Sequence, residues 1–331
     1  MIPQSTVPAD ETSTTPRRRS VGPMLGIVLG ALAVQTLLFT LFAWPALHSA
    51  PRDLRIDVAG QPAAARQFAA RLDHARPGAF DVRTVTDQAA GDAALHDRDA
   101  YGVFVVAPDG VRLRVASAAS PQIAALLRQV AQSLGQQLGH PVPVTDVVPA
   151  DPDDPNGVVL SLGVLPLAMT SLAAGVLLAL RVRGRLARLT GVVLFAALAG
   201  LASTAIARWG LSALPGDYLT DAAGVALLAL AVSGTAAGLA ALLGPPGAGL
   251  GVLVMFVLGI PLSGLTSAPD LLPTGWGTLG QYLPPGAGGT LLRSLAYFDG
   301  AATGRPLAVL SGWAAVGIVL LVLARPRAER A

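Results

Sequence analysis

VVLSLGVLPLAMTSLAAGVLLAL, residues 158–180, contains no charged side chain. A helix needs about 20 predominantly apolar residues to cross the hydrocarbon core of a bilayer, and this stretch is long enough. Five others match it, at residues 21–44, 189–207, 222–243, 249–265 and 307–324. The last two are short and suit a tilted or partly re-entrant path. One stretch stands near the N-terminus, a polar insert follows at 45–157, and five crowd the rest of the chain. With 53% apolar residues, 13% charged residues and a mean hydropathy of +0.59, 331 residues do not describe a soluble protein. The expected fold is a polytopic α-helical membrane protein, with six transmembrane helices and a small extracytoplasmic α/β domain between helices one and two.

The arginines orient it. All 23 basic residues are arginine. Arg17, Arg18 and Arg19 precede the first span, Arg181, Arg183, Arg185 and Arg188 fill the loop between spans two and three, and Arg325, Arg327 and Arg330 follow the last. With six spans these fall on one side; the short loops opposite hold only Arg208, Arg293 and Arg305. Basic short loops stay cytoplasmic, whereas long inserts translocate whatever their charge. The expectation is a multi-pass protein of the cell (plasma) membrane with both termini cytoplasmic and residues 45–157 outside. The pI near 9.9 reflects this belt, which favours anionic lipid headgroups and implies no nucleic acid. Residues 1–20, rich in Pro, Ser and Thr, read as a disordered cytoplasmic tail, and 325–331 as a short one. The first span is about twice as long as a signal-peptide core and reads as an uncleaved anchor.

The insert alternates strand and helix patterns. LRIDVA at 54–59 alternates apolar and polar, residues 63–75 have helical spacing, 82–85 is a short strand and 89–95 a short helix. YGVFVVA at 101–107 is a nearly continuous apolar run, the signature of a central strand. Asp109-Gly110 turns it into a strand at 111–116. Ile123, Leu126, Leu127, Val130 and Leu134 share one face of a helix at 123–138, and 141–148 completes a βαβαββαβ order with a mixed sheet.

Several chemistries lack their residues. Without lysine there is no Walker A loop; without cysteine there is no lipobox, disulfide or thiolate metal site. His48, His74, His96 and His140 lack zinc-protease spacing. DPDDPNG at 151–157 lacks the bidentate glutamate of a calcium loop and reads as a stiff linker into span two. The spans carry no Asp, Glu, Lys or His, which leaves no intramembrane proton relay. Arg208, Asp217 and Asp221 read as anchors at span ends. No catalytic residue, cofactor site or metal site follows, and the chain reads as no enzyme. Gln35, Thr36, Thr170 and Ser171 are polar and neutral within spans, and would either bond between helices or line a substrate path. Gly22, Gly26 and Gly30, like Gly234 and Gly238, recur every four residues, a spacing for close helix packing within the chain or between two copies.

PLSGLTSAPDLLPTGWGTLGQYLPPGAGGTLLRSLAYFDG, residues 261–300, is too apolar for a solvated loop and too rich in Gly and Pro for a span. It reads as two short helices, 273–282 and 287–298, broken at Pro284-Pro285-Gly286, with Trp276, Tyr282, Tyr297 and Phe298 at headgroup level. This stretch, the insert, the five following spans and the run Asp99–Val105 together resemble the type-2 ABC exporter permeases, in the branch related to the phage infection protein. The resemblance covers residues 20–325. It implies a permease subunit working with a separate cytoplasmic ABC ATPase, as a homodimer or with a second permease. It also implies an ATPase-facing loop at Arg181, Arg183, Arg185 and Arg188. The outer gate loop would comprise Pro261, Gly264, Pro269, Asp270, Pro273, Trp276, Pro284, Pro285, Gly286, Arg293, Tyr297 and Phe298. The alternative is a non-transporting surface protein whose external domain binds an envelope component, a secretion machine or a phage.

Overall fold

The computed structural model describes residues 21–324; the tail at 1–20, with Arg17, Arg18 and Arg19, and Arg325, Arg327 and Arg330 lie outside the described residues. Six helices are long and apolar enough to cross a membrane, which makes this a multi-pass membrane protein. The first, α1 (Val21–Leu47), is apolar on every face and forms a unit of its own up to Ala43.

The second unit opens with the α/β layer. Its strands are β1 (Leu54–Gly60), β2 (Phe80–Val85), β3 (Gly102–Ala107), β4 (Gly110–Val115) and β5 (Val144–Asp146). Its helices are α2 (Pro62–Ala75), α3 (Gln88–His96) and α4 (Pro121–Leu138). The sheet order is β2-β1-β3-β4-β5, with β3 central, only the β3–β4 pair antiparallel, and a turn at Pro108-Asp109 between those two. The βαβαββαβ order and mixed sheet match the sequence pattern. β5 is shorter than expected because Pro141 and Pro143 have no N–H to donate to a ladder. Caps fix the helix starts: Asp87 accepts from the Ala90 amide and Ser120 from the Ile123 amide. Leu54, Ile56 and Val58 point from β1 into a core under α2 and α4, with Phe104 at its centre. The opposite face packs Ala59, Val103 and Val105 against Leu95 of α3.

The helical layer is built round α7 (Tyr218–Leu243), whose small residues leave most of it buried. α5 (Val158–Arg181), α6 (Arg185–Ala205) and α12 (Gly304–Leu323) all pack on it. Each brings one glycine onto its backbone. A Cβ on Gly175 would sit 2.2 Å from the Ser233 carbonyl oxygen, one on Gly200 2.4 Å from that of Ala222, and one on Gly317 2.3 Å from the Gly234 carbonyl carbon. Small residues replace hydrophobic driving force with van der Waals contact where the solvent is lipid. Gly234 and Gly238 thus pack within the chain, against α12. Asp154 caps α5 through the Val158 and Val159 amides, at 2.7 and 2.8 Å, so the acidic linker is a helix start.

Several span ends move. The span read at 189–207 runs Arg185–Gly210, ending in a π-helical turn, Ile206–Gly210. The one read at 222–243 begins at Tyr218 and therefore contains a carboxylate, Asp221, which is buried. The absence of acidic residues from the spans is corrected accordingly. The fifth span, Pro245–Leu262, joins α8 (Pro245–Val252) to α9 (Gly259–Leu262) through a π-helical turn, Leu253–Leu258. The sixth runs Gly304–Leu323.

Between the fifth and sixth spans the chain folds back into the bundle. A 3-10 turn (Pro269–Leu271) leads to α10 (Trp276–Gly280) and α11 (Pro284–Tyr297), and most of α11 is buried against α5, α7 and α12. The expected break at Pro284-Pro285-Gly286 is instead the first turn of α11. Proline suits that position because the first amides of a helix need no intrahelical acceptor; the break falls at Gln281, Tyr282 and Leu283. The four aromatics read at headgroup level differ in burial. Tyr282 is exposed, Trp276 and Tyr297 are partly buried, and Phe298 is buried in the α/β core beside Val148.

If glycine contact sets the spacing round α7, Gly317→Ala overpacks it. A loss of about 1–3 kcal/mol, or more, is expected from tryptophan-detected unfolding in detergent. Gly312→Ala, on the same helix with nothing within 4 Å of the added Cβ, stays neutral or gains a few tenths. Equal behaviour of the two variants would contradict the packing account.

Candidate functional site

The α/β layer sits on the hairpin formed by the 3-10 turn, α10 and α11, and the seam between them is polar. Arg52 is the first clasp: its guanidinium donates to the carbonyl oxygens of Leu271 at 3.3 Å, Leu272 at 3.1 Å and His48 at 2.9 Å. Ser120 and Gln122, at the start of α4, donate to the Ser267 and Thr266 carbonyls at 3.1 and 2.7 Å. The Ala50 amide adds a bond to the Leu271 carbonyl. These contacts satisfy the backbone of a segment that has left regular structure. Ala268 and Leu271 in turn enter the core under α2 and α4.

Deeper in the seam lies Arg98. It follows α3 with φ at 61°, the left-handed region. From there Nη1 donates to the Thr290 carbonyl at 3.0 Å and Ser294 Oγ at 2.5 Å, both on α11, and the guanidinium lies over the Phe298 ring. Burial, then the neighbouring Arg293 cation, pushes its pKa down to about 10. Tyr101 Oη donates to Asp270 at 2.5 Å, joining the start of β3 to the 3-10 turn. Burial first, and the Asp270 carboxylate second, push the Tyr101 phenol well above its ordinary value. It stays a neutral donor.

These groups line a cavity of about 370 Å³, walled by the α/β layer on one side and the hairpin on the other. Arg52, Arg55, Arg98, Arg293 and Arg305 reach it, against only Asp53 and Asp270 among acids. Of the residues read as an outer gate, the structure brings Pro269, Asp270, Pro273 and Arg293 to this cavity. Trp276 stands beside it on α10. Pro261 and Gly264 lie at the end of α9 and its exit turn. Pro284, Pro285 and Gly286 are buried in the first turn of α11, and Tyr297 donates to the Ala213 carbonyl at 3.3 Å. The sequence reading missed Arg52, Arg55, Arg98 and Tyr101, because nothing in a strand pattern says what lies beyond its edge.

The residues read as a path lining are not gathered. Thr36 Oγ1 donates to the Leu32 carbonyl and Thr170 Oγ1 to that of Pro166, each within its own helix. Gln35 is exposed on α1, and Ser171 is buried with no hydrogen-bond partner among the described residues. At the α5–α6 turn, Arg188 donates to the Val182 carbonyl at 2.8 Å and Arg185 to that of Ala324 at 3.2 Å, so both hold the turn and the end of α12. Arg181 and Arg183 are exposed there. Of the span-end charges, Asp217 caps α7 through the Thr220 amide, Arg208 binds the Gly216 carbonyl, and Asp221 is buried without a hydrogen-bond partner among the described residues. Neither a protein-family model, nor a curated protein, nor a solved structure matches the chain.

The Tyr101–Asp270 bond should couple the two layers energetically. Tyr101→Phe is expected to cost about 1.5–3 kcal/mol, as a hydrogen bond to a charged acceptor does. In a double-mutant cycle with Asp270→Ala, read by unfolding in detergent, most of that loss should vanish. Strict additivity would mean that the bond carries no stability.

Proposed function

We propose that the chain is the membrane permease subunit of an exporter driven by a separate cytoplasmic ABC ATPase, with the hairpin as its outer gate. What carries the reading is the hairpin itself. Its helix α11 is buried against α5, α7 and α12, and the irregular backbone before it bonds to the α/β layer. Such backbone persists at membrane depth only where protein or a water-filled cavity satisfies it, and a gate needs that placement. The span leading into it holds the π-helical turn Leu253–Leu258. Turns of this kind loosen a helix and often mark functional sites. The resemblance to type-2 ABC exporter permeases, the arginine-rich α5–α6 turn and the lack of a Walker A lysine all agree with a partner ATPase.

In this reading the α5–α6 turn faces the cytoplasm and the α/β layer lies outside. Since the chain has no native cysteine, single cysteines report sidedness cleanly. In intact cells an impermeant thiol reagent should label cysteines placed at the exposed positions Ala93 and Thr274, and leave one at Ala187 unlabelled until the membrane is opened. The reverse pattern would overturn the orientation.

Purification from native membranes tests the partner. An ATPase should accompany the wild-type chain. Arg181 and Arg183 are both exposed on this turn, and exchanging them for lysine keeps the charge that sets topology but removes the guanidinium fork. The double variant should insert normally and retain less ATPase, by about tenfold. If no ATPase accompanies the wild type, the alternative of a non-transporting surface protein with a ligand-binding α/β domain takes its place.

A further inference from the structure

Arg293 is the least explained charge in the molecule. It lies on α11 with 7% of its surface exposed, faces the seam cavity, and makes no hydrogen bond or ion pair among the described residues. Arg55, on β1 across the cavity, likewise makes none with its guanidinium. Arg98 is held by α11 and Arg305 stacks over Tyr282. The two carboxylates at the cavity, Asp53 and Asp270, do not neutralise five guanidiniums, and Asp270 already accepts from Tyr101.

A buried cation without a partner is strongly unfavourable. Burial holds the Arg293 guanidinium below its usual pKa. A base lowered in the folded state loses stability as pH falls from its unfolded value through its folded one, so the protonated guanidinium is held there at a cost to the fold. A buried, uncompensated charge facing a preformed cavity is the arrangement of a candidate functional site. The volume, about 370 Å³, lies within the roughly 300–1,000 Å³ of small-molecule sites.

We propose that this cavity binds a phosphate group, with Arg293 and Arg55 as its principal ligands and Arg98 and Arg305 beside them. Phosphate presents several oxygens, each suited to the planar fork of a guanidinium, and carries up to two charges. A single carboxylate would leave most of the excess positive charge unanswered. The phosphate belongs either to a soluble compound or to a lipid headgroup. Because it would bridge β1 and α11, its binding would tighten the α/β layer on the hairpin whether or not the chain transports.

The full chain, purified in neutral detergent without phosphate, is titrated with inorganic phosphate at constant ionic strength set with chloride. Thermal unfolding and tryptophan fluorescence serve as readouts, since Trp276 lies on α10 next to the cavity wall. Phosphate should raise the midpoint saturably beyond chloride. Arg55→Gln and Arg293→Gln should each weaken the apparent affinity by about tenfold or more, the usual scale for losing a charge-assisted bond. Arg293→Met should unfold no earlier than wild type without phosphate and gain nothing from it, which separates a lost site from a lost fold. In a parallel arm the protein sits in nanodiscs of phosphatidylcholine with or without phosphatidylglycerol. Added stabilisation by the anionic lipid, lost in Arg293→Gln, assigns the phosphate to a headgroup; stabilisation by inorganic phosphate alone assigns it to a soluble compound. No saturable effect from either source, or equal effects in wild type and both glutamine variants, overturns the proposal.

Discussion

Backbone amides and carbonyls that leave the helical ladder inside an apolar bundle find no water there and must bond to protein. The buried part of residues 263–283 faces that demand, while Thr266, Thr274 and Tyr282 stay exposed, and most of the polar architecture answers it. Gln281 donates to the Ser263 carbonyl at 3.2 Å, Thr290 supports Gln281 at 2.7 Å, and Arg52 takes the carbonyls of Leu271 and Leu272. Trp313 of α12 reaches over to the Tyr282 carbonyl at 2.8 Å. Glycine makes the approach possible: a Cβ on Gly280 would lie 1.7 Å from the Leu262 carbonyl oxygen. The α/β layer is therefore more than an appendage. Its Arg52, Ser120 and Gln122 close bonds that the helices alone leave open.

The same demand explains why the seam is polar and cationic at once. Donors are needed above a row of outward carbonyls, and arginine offers five N–H groups on one planar fork. Arg52 and Arg98 are used in this way. Arg55 and Arg293 are surplus to it, and their surplus is what gives the cavity a chemistry of its own. Structural satisfaction and ligand binding thus divide neighbouring residues of the same type.

Periodicity made much of the fold legible. Long apolar runs located six helices able to cross a membrane, while alternation in LRIDVA and the nearly continuous apolar run YGVFVVA located two strands, the second at the sheet centre. Those signals are local, set by which side chains face lipid or core. The site was half legible. Asp270, Pro273 and Arg293 stood out because they sit in a segment whose composition fits neither loop nor span. Their partners did not, since Arg98 depends on a left-handed backbone and Tyr101 on an oxygen 169 positions away. Asp221 was placed outside its span because helix ends shift by a turn when a cap such as Asp217 precedes the apolar run. The prolines at 284 and 285 were misjudged for a related reason: proline interrupts a helix from within but begins one readily.

Amide hydrogen exchange of the intact protein in lipid nanodiscs probes the central claim, that the hairpin is interior structure held between two layers. The account predicts that the peptide covering α11, Pro284–Tyr297, exchanges as slowly as α7, through openings close in free energy to global unfolding. Exchange as fast as that of an exposed loop would contradict it, because the segment would then be a surface connector rather than the element on which both layers close.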